Sequence, residues 1–204
     1  MSIFQNTCKP KGFGGKIMCK LMNKGHSKLS KWGFQFLAVD RYDYCLDLGC
    51  GGGANVKKLV KLTEYGHVTG LDYSEVSVEL TKKKNKKACD QMHAYIVQGD
   101  VMDLPFKNNV FNVATAFETI YFWPDIRKAF KNVYDVLKSG GTFLICNETD
   151  GLNPKDNKRT EKIEGMRVYT ADELKENLLK AGFNDVIIYH DEKTHYLALV
   201  ATKY

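Results

Sequence analysis

The sequence predicts an α/β fold with a doubly wound, mostly parallel sheet, and three observations support this prediction. From residue 44 onward, strand-like apolar runs alternate with amphipathic helical runs, a pattern typical of parallel strands joined by crossover helices. Four glycines fall within the five positions 49–53, directly after the first strand. Two β-rich runs separated by a polar turn end the sequence and favour an antiparallel hairpin.

The length and composition indicate one domain with a small N-terminal addition. With 204 residues, of which 44% are hydrophobic, the chain can bury a sizeable core. We expect a helical extension at residues 1–40 and the main domain at residues 41–204. No apolar run approaches the ~20 residues that span a bilayer, and the first residues lack the apolar segment of a secretory leader. We therefore predict a cytoplasmic protein without membrane insertion.

The cysteines indicate neither a disulfide framework nor a metal centre. All six are irregularly spaced, and no pair stands at the separation of a zinc knuckle or a redox motif. Several lie inside apolar strand-like runs, where cysteine behaves as a small buried hydrophobe. We therefore expect reduced, structural thiols and predict no metal site.

The elements follow from periodicity and from capping residues. Ser74 is a good N-cap, Thr170 and Glu173 form a capping box, and Gly182 ends the helix that this box begins. The run Ser139-Gly140-Gly141 is expected to stop the helix before it, and residues 147–168 are expected to form a polar loop. Strands are predicted at 44–48, 67–72, 94–98, 110–117, 142–146, 186–190 and 196–202. Helices are predicted at 54–63, 75–87, 125–137 and 171–181.

The glycine-rich segment after the first strand is the strongest indication of a ligand. Glycines between a strand and a helix let the backbone turn sharply and approach a ligand closely. Gly49, Gly51 and Ala54 also satisfy the dinucleotide pattern G-x-G-x-x-G/A. The segment alone leaves two other interpretations open: an NAD-type site, and a glycine-rich turn without a ligand.

Acidic residues near the ends of the first four strands narrow these interpretations. Asp47 precedes the glycines, Asp72 ends the second strand, Asp100 follows the third, and Glu118 follows the fourth. The carboxyl ends of parallel strands meet at one edge of the sheet, where ligands bind at the topological switch point. A carboxylate at the end of the second strand can accept hydrogen bonds from ribose hydroxyls. These acids therefore predict a nucleoside-containing ligand in one crevice.

Four segments together resemble the class I S-adenosylmethionine-dependent methyltransferases. The run 46–53, Leu-Asp-Leu-Gly-Cys-Gly-Gly-Gly, resembles their cofactor motif, and 70–74, Gly-Leu-Asp-Tyr-Ser, resembles their ribose motif. Residues 98–106 are similar to the adenine-binding segment of the quinone-biosynthesis and related small-molecule branch. Residues 137–141 resemble the family's Leu-Lys-Pro-Gly-Gly turn, with serine in place of proline. The resemblance runs from about residue 44 to the C-terminus.

The resemblance implies a seven-stranded sheet with an antiparallel last strand, and S-adenosyl-L-methionine as the cofactor. Gly49, Gly51 and Gly53 would wrap the methionine part of the cofactor. Asp47 would support its ammonium group, and Asp72 would bind the ribose hydroxyls.

The resemblance also assigns residues to adenine and to the acceptor side. Tyr73 would lie against the adenine, while Asp100 would accept from its amino group and the Val101 amide would reach a ring nitrogen. Glu118 would lie where the fourth strand meets cofactor and acceptor. The run 117–123 lacks the Asn/Asp-Pro-Pro-Tyr motif, which argues against adenine or glutamine N-methylation, and no Pro-Cys pair supplies a nucleophile for cytosine.

No residue is assigned a catalytic role by the sequence. A general base is needed only when the acceptor must lose a proton early. His26, Tyr121, Tyr169 and His195 are candidate bases or orienting groups, and for each a surface or packing role is the alternative.

The first forty residues are predicted to hold two amphipathic helices, at residues 13–22 and 29–37. They could close over the cofactor as a lid, or pack on the sheet for stability alone. Seven lysines fall between residues 9 and 31, with no acidic residue before Asp40. Such a run could meet nucleic acid, although it is more often a solvated helix face.

Three function classes follow from these observations. The first is methyl transfer to a small-molecule acceptor. The alternative is an RNA or protein methyltransferase, motivated by the basic N-terminus, although no separate nucleic-acid module is visible. An NAD(P)-binding oxidoreductase or a regulatory nucleotide-binding module is third, because little of the chain is left for a substrate domain and Asp100 would have no role.

Overall fold

The computed structural model describes residues 26–153, 160, 163 and 165–204. The helix predicted at residues 13–22 and the lysines before residue 26 lie outside the described residues. The strands are β1 Tyr44–Leu48, β2 His67–Asp72, β3 Ala94–Gln98, β4 Phe111–Phe117, β5 Leu137–Asn147, β6 Asp185–Asp191 and β7 Tyr196–Thr202. The helices are α1 Ser27–Gly33, α2 Ala54–Leu62, α3 Glu75–Lys84, α4 Lys86–Asp90, α5 Ile126–Val136 and α6 Ala171–Ala181, with 3-10 turns at Phe34–Phe36 and Ile120–Phe122.

The seven strands form one sheet in the order β3-β2-β1-β4-β5-β7-β6. The first five strands run parallel, and β7 pairs antiparallel with both β5 and β6. The predicted α/β class, the seven strands and the antiparallel last strand are therefore confirmed. After β1 the chain builds outward through β2 and β3 and then returns to β4 on the other side of β1. This reversal creates a crevice between the carboxyl ends of β1 and β4, which is where open α/β sheets bind ligands.

The core forms because the central strands are apolar on both faces and the helices present apolar stripes to them. In β4, every residue except Asn112 is buried, as expected for a strand covered by helices on both sides. Helix α5 buries Ala129 and Phe130 and, three to four residues later, Val133, so these side chains share one face of the helix. The predicted capping box at Thr170 is present and begins α6.

The predicted helix stop at residues 139–141 is wrong. Helix α5 already ends at Val136, and β5 begins at Leu137 without a turn. The glycines lie inside β5, where the pairing with β4 shifts register between the partners of Phe111 and Val113. Gly140 adopts φ +77°, a left-handed conformation that suits a β-bulge. Glycines near a helix end thus marked a bulge here.

The helix predicted at residues 75–87 is divided into α3 and α4 at Asn85. The Asn85 side chain donates to the backbone oxygens of Gly53, at 3.1 Å, and Thr81, at 3.0 Å. An asparagine that bonds nearby backbone groups competes with helical hydrogen bonds, which explains the break. The same contact ties the start of α2 to α3.

Helix α1 packs against the face of β4, β5 and β7. Leu29 is fully buried, and the Phe34 ring stacks on Phe117 with centroids 5.2 Å apart. Trp32 contacts Tyr196 at 5.7 Å between ring centroids. The second predicted N-terminal helix is therefore shorter than expected, a seven-residue helix followed by a 3-10 turn. None of the helices that the structure describes is long and apolar enough to cross a membrane.

The two glycines at residues 53 and 140 provide a test of the loop packing. Both have φ above +70°, so alanine should cost about 1–2 kcal/mol at either position from backbone strain alone. A Cβ at Gly53 would lie 2.9 Å from the Thr81 Cα, whereas nothing lies within 4 Å of a Cβ at Gly140. We expect Gly53→Ala to lower the free energy of unfolding by a further ~1–3 kcal/mol relative to Gly140→Ala. Urea unfolding of both variants measures the difference, and equal losses would contradict the packing described.

Candidate functional site

A cavity of about 270 Å³ opens at the carboxyl edge of the sheet, between the loops that follow β1, β2, β3 and β4. Helix α1 and the residue before it close one side of this cavity. Eight of the residues singled out from the sequence line it: His26, Gly49, Gly51, Asp72, Tyr73, Asp100, Val101 and Glu118. The crevice predicted at the topological switch point is therefore present.

The glycine loop after β1 is folded back against the end of β2. The backbone N–H groups of Gly49 and Cys50 both donate to the Leu71 oxygen, at 2.8 and 3.0 Å. Gly49 and Gly51 adopt φ of +70° and +53°, which residues with a side chain rarely reach. A Cβ on Gly49 would meet the Thr119 Oγ at 2.2 Å, so this glycine also allows the loop after β4 to come close.

Asp72 joins the glycine loop to the start of α3. Its Oδ2 accepts from the Gly51 N–H and its Oδ1 from the Ser74 N–H, both at 2.9 Å. The side chain is buried, and burial raises the pKa of Asp72 while the two backbone hydrogen bonds act in the opposite direction. The acid predicted to bind ribose therefore also holds the loop that it faces.

The loop after β3 contributes an exposed carboxylate and a buried apolar wall. Asp100 is exposed, and its Oδ1 accepts from the Met102 N–H at 2.9 Å. Val101 is buried, and its carbonyl accepts from the Asn132 side chain at 2.9 Å. The aromatic ring of Tyr73 belongs to the same side of the cavity.

Two of the predicted cofactor residues lie outside the cavity lining. Gly53 is the N-cap of α2 and packs against α3. Asp47 is buried below the glycine loop, where its Oδ1 accepts from the Thr115 hydroxyl at 2.8 Å. Its Oδ2 has no hydrogen-bond partner among the described residues. Burial is the main reason why the pKa of Asp47 is raised to about 7, and the nearby Asp72 charge adds to this effect.

Glu118, His26 and Glu148 form an ionisable cluster beside the cavity. Glu118 has φ +57°, a strained conformation for a residue with a long side chain. Its Oε1 accepts from the Tyr121 hydroxyl, at 2.9 Å, and from the Glu148 N–H. The Nε2 of His26 lies 3.9 Å from both the Glu118 Oε2 and the Glu148 Oε1. The cluster brings two of the candidate bases, His26 and Tyr121, to one carboxylate.

The other two candidate bases do not line the cavity. Tyr169 is buried in the main core, with the Arg167 guanidinium 4.6 Å from its ring centroid. His195 contacts Asp150 at the other side of β5. Packing and structural hydrogen bonding are the roles that these positions indicate.

Several lining residues were not predicted from the sequence, and three of them are joined by hydrogen bonds. Ser30 of α1 donates to the Asn55 side chain, and the Lys58 ammonium donates to Ser30. Burial lowers the pKa of Lys58. Asn55 and Lys58 stand in the first turns of the helix that follows the glycines, which is the only signal that the sequence carried for them. Their partner on α1, Ser30, lies 25 residues from Asn55 and 28 from Lys58, and could not be identified from spacing.

The raised pKa of Asp47 predicts a pH-dependent stability. The unfolded carboxyl ionises near pH 3.8 and the folded one near 7, so the folded state holds the extra proton between these values. Stability from this group is therefore lost as the pH rises through that window, by 1.36 kcal/mol per pH unit. Asp47→Asn removes the titration. The free energy of unfolding of the variant minus that of the wild type should therefore be about 2–3 kcal/mol larger at pH 7 than at pH 5.

Urea unfolding of both proteins at each pH measures this difference. The contributions of the other titrating groups that do not interact with Asp47 cancel in the comparison, and Asp72, whose charge acts on Asp47, is the coupled group. A difference between variant and wild type that stays constant across this range would contradict the burial of an unsatisfied Asp47 carboxyl.

Comparison with known proteins finds methyltransferases that are similar to part of this chain. A family model described as a methyltransferase domain matches residues 46–145, from β1 to β5. The demethylmenaquinone methyltransferase of Listeria welshimeri is 32% identical over 131 residues, which cover 64% of this chain and 55% of that protein. The sterol 24-C-methyltransferase of Saccharomyces cerevisiae is 30% identical over 164 residues, which cover 75% of this chain and 42% of that protein. The chain thus spans about half the length of these relatives.

Solved structures share the fold. A methyltransferase from Aquifex aeolicus, described as S-adenosylmethionine-dependent, superposes with a TM-score of 0.76 at 17% identity, covering 91% of this chain and 97% of that one. A chain of the Haloferax volcanii complex between the Trm112 methyltransferase activator and a methyltransferase superposes with a TM-score of 0.82 at 21% identity, covering 91% and 93%. Together with the family model and the sequence relatives, the glycine loop and the strand order confirm the predicted resemblance to the class I S-adenosylmethionine-dependent methyltransferases.

Proposed function

We propose that the cavity binds S-adenosylmethionine and that the protein transfers its methyl group to a small-molecule acceptor. One observation carries this proposal: residues from the ends of four parallel strands converge on a single cavity of about 270 Å³. The glycine loop, Asp72 and Asp100 come from three different strand ends, and Glu118 from a fourth.

The residues present fit the cofactor. A Cβ on Gly51 would meet only the Gly49 oxygen, at 3.9 Å, so the loop leaves open space on its cavity side for the methionine part. Asp72 and Tyr73 would hold the ribose and the adenine face. Asp100 would accept from the adenine amino group beside the buried Val101. Asp47 lies under the loop, and its Oδ2 has no hydrogen-bond partner in the described part of the chain. It would act on the ammonium group through the loop and not from the cavity wall.

When bound, the cofactor supplies a methyl group on a sulfonium, which is a good leaving group. The protein therefore has to align the acceptor and exclude water. The rings of Phe117, Phe122 and Trp123 line the cavity next to Glu118 and provide an apolar surface for an acceptor. For an acceptor that loses a proton, His26 is the proton acceptor that we propose, with Glu118 orienting its imidazole from 3.9 Å.

The small-molecule class is favoured over RNA or protein for two reasons. The relatives described above are named for demethylmenaquinone and sterol methylation, which are reactions of small molecules. The acceptor side of the cavity is aromatic and acidic, and an acidic wall disfavours a phosphate backbone. A cytoplasmic location stays a prediction.

A methyl-transfer screen tests the proposed function. The full chain is incubated with cofactor labelled on the methyl group and with separate pools of metabolites, tRNA and peptides. We expect label in a small organic product. Label in tRNA or peptide would favour the alternative class. Stabilisation of the protein by NAD, with no response to S-adenosylhomocysteine in a thermal shift, would contradict the cofactor itself.

Asp100 gives a test of cofactor binding that the fold tolerates. Asp100→Ala removes an exposed carboxylate that would accept from adenine, a hydrogen bond worth about 1.5–3 kcal/mol when one partner is charged. We expect S-adenosylhomocysteine to bind about 10- to 100-fold more weakly, as measured by isothermal titration calorimetry. Asp103→Ala is the matched control, because Asp103 is an exposed acid in the same loop and outside the lining. Equal affinities for both variants would show that Asp100 has no role in binding.

His26 gives a test of the acceptor side. With an acceptor that loses a proton, His26→Gln should lower kcat by about 10²- to 10⁴-fold, which is the range for general base catalysis. The affinity for S-adenosylhomocysteine should not change. Glu118→Gln should lower kcat less, because it only orients the imidazole. The control is His67→Gln. His67 lies on β2, and its ring packs between those of Tyr44 and Tyr95 on the neighbouring strands. A His26→Gln variant with full turnover would exclude histidine as the base.

A further inference from the structure

A second group of ionisable side chains lies away from the cofactor cavity, between the segment after β5 and the hairpin of β6 and β7. It consists of Asp150, His190 and His195. The Asp150 Oδ2 lies 2.7 Å from the Nε2 of His190 and 2.9 Å from the Nδ1 of His195. The three residues do not line the cavity, and methyl transfer uses none of them.

We propose that Asp150, His190 and His195 form a binding site for a divalent first-row transition metal ion such as Zn²⁺. Imidazole nitrogen and carboxylate oxygen are the ligands that such ions take in proteins. One ligand atom from each residue lies within 4.8 Å of the others. Two histidines and one carboxylate leave a coordination position for water.

The distances require little movement. With bonds of 2.0–2.2 Å to a tetrahedral zinc ion, neighbouring ligand atoms lie roughly 3.4 Å apart. The two observed nitrogen–oxygen distances are 2.7 and 2.9 Å, so each imidazole would move outward by roughly half an ångström. Each ring nitrogen that donates to Asp150 must give up its proton and take it at the other nitrogen. Both imidazoles are partly exposed, at 32% and 42%, so water can carry this exchange.

The positions of the ligands are fixed before any ion binds. The Asp150 side chain is 3% exposed, and its Oδ1 accepts from the Leu152 N–H at 2.9 Å, which turns the Oδ2 toward the imidazoles. His195 ends the hairpin turn directly before β7, with φ +60°, a left-handed conformation that histidine adopts more often than most residues. A bound ion would fasten the segment after β5 to the hairpin.

Metal titration of the full chain tests the site. After treatment with a chelator, the protein is titrated with Co²⁺ and then with Zn²⁺, and both absorption and thermal unfolding are recorded. We expect one Co²⁺ per chain, with visible absorption bands but without the charge-transfer band of a thiolate ligand. Zn²⁺ should displace Co²⁺ and raise the Tm.

Single variants identify the ligands. His190→Gln and His195→Gln should each weaken Co²⁺ binding by more than the 10- to 100-fold that follows loss of a hydrogen-bonding partner of a ligand. Asp150→Asn should do the same, and because it is buried, its fold is checked by circular dichroism. His67→Gln removes a histidine elsewhere and should bind Co²⁺ like wild type. Because both histidine variants alter partly exposed rings, they carry the test if Asp150→Asn does not fold.

Four results would overturn the proposal. The first is that the protein does not bind Co²⁺, and the second is a thiolate charge-transfer band, which would indicate a cysteine ligand. The third is that neither histidine variant changes Co²⁺ binding, and the fourth is that Glu148→Gln abolishes it. The last result would move the metal to the cluster of His26, Glu118 and Glu148. None of these results depends on methyl transfer.

Discussion

The Asp72 carboxylate is the contact on which the cofactor edge depends. One oxygen holds the Gly51 N–H and the other holds the Ser74 N–H, so a single buried group joins the loop after β1 to the first turn of α3. Without it, the buried Ser74 N–H and the partly buried Gly51 N–H would lose their acceptor, and a buried donor without a partner costs about 1–3 kcal/mol. The glycine loop can take its left-handed turns because this carboxylate and the Leu71 oxygen receive its amides. The cavity therefore has its shape before any ligand arrives.

Much of the fold could be predicted from local patterns, because the local rules agree with the tertiary structure in most places. Buried strands such as β4 are continuous apolar runs, and the capping box at Thr170 is a local device with local partners. The predictions at Gly140 and Asn85 were wrong because distant contacts, and not local patterns, decide the structure there. A bulge is decided by the register of a neighbouring strand, and the break at Asn85 by the carbonyl of Gly53, 32 residues away.

The features of the site likewise divide into those that local patterns predict and those that depend on distant contacts. Strand ends could be predicted, so the residues that face the cavity from the loops after β1 to β4 were found. The depth of a side chain could not be predicted, and Asp47 is therefore under the loop instead of in the wall. The contacts between Ser30, Asn55 and Lys58, and the cluster around Asp150, join segments that lie 25 to 45 residues apart. Spacing along the chain carries no signal for such contacts.

Backbone strain separates two kinds of position in this structure. Four residues other than glycine have positive φ among the described residues: Met92, Asn109, Glu118 and His195. Met92, Asn109 and His195 lie in turns, and asparagine and histidine tolerate this conformation. Glu118 instead follows β4 directly and directs its carboxylate toward His26. Strain at such a residue costs about 1–3 kcal/mol and persists only where surrounding contacts enforce it. The segment after β5 thus contributes to two ionisable clusters, and only the strained one at Glu118 faces the cofactor cavity.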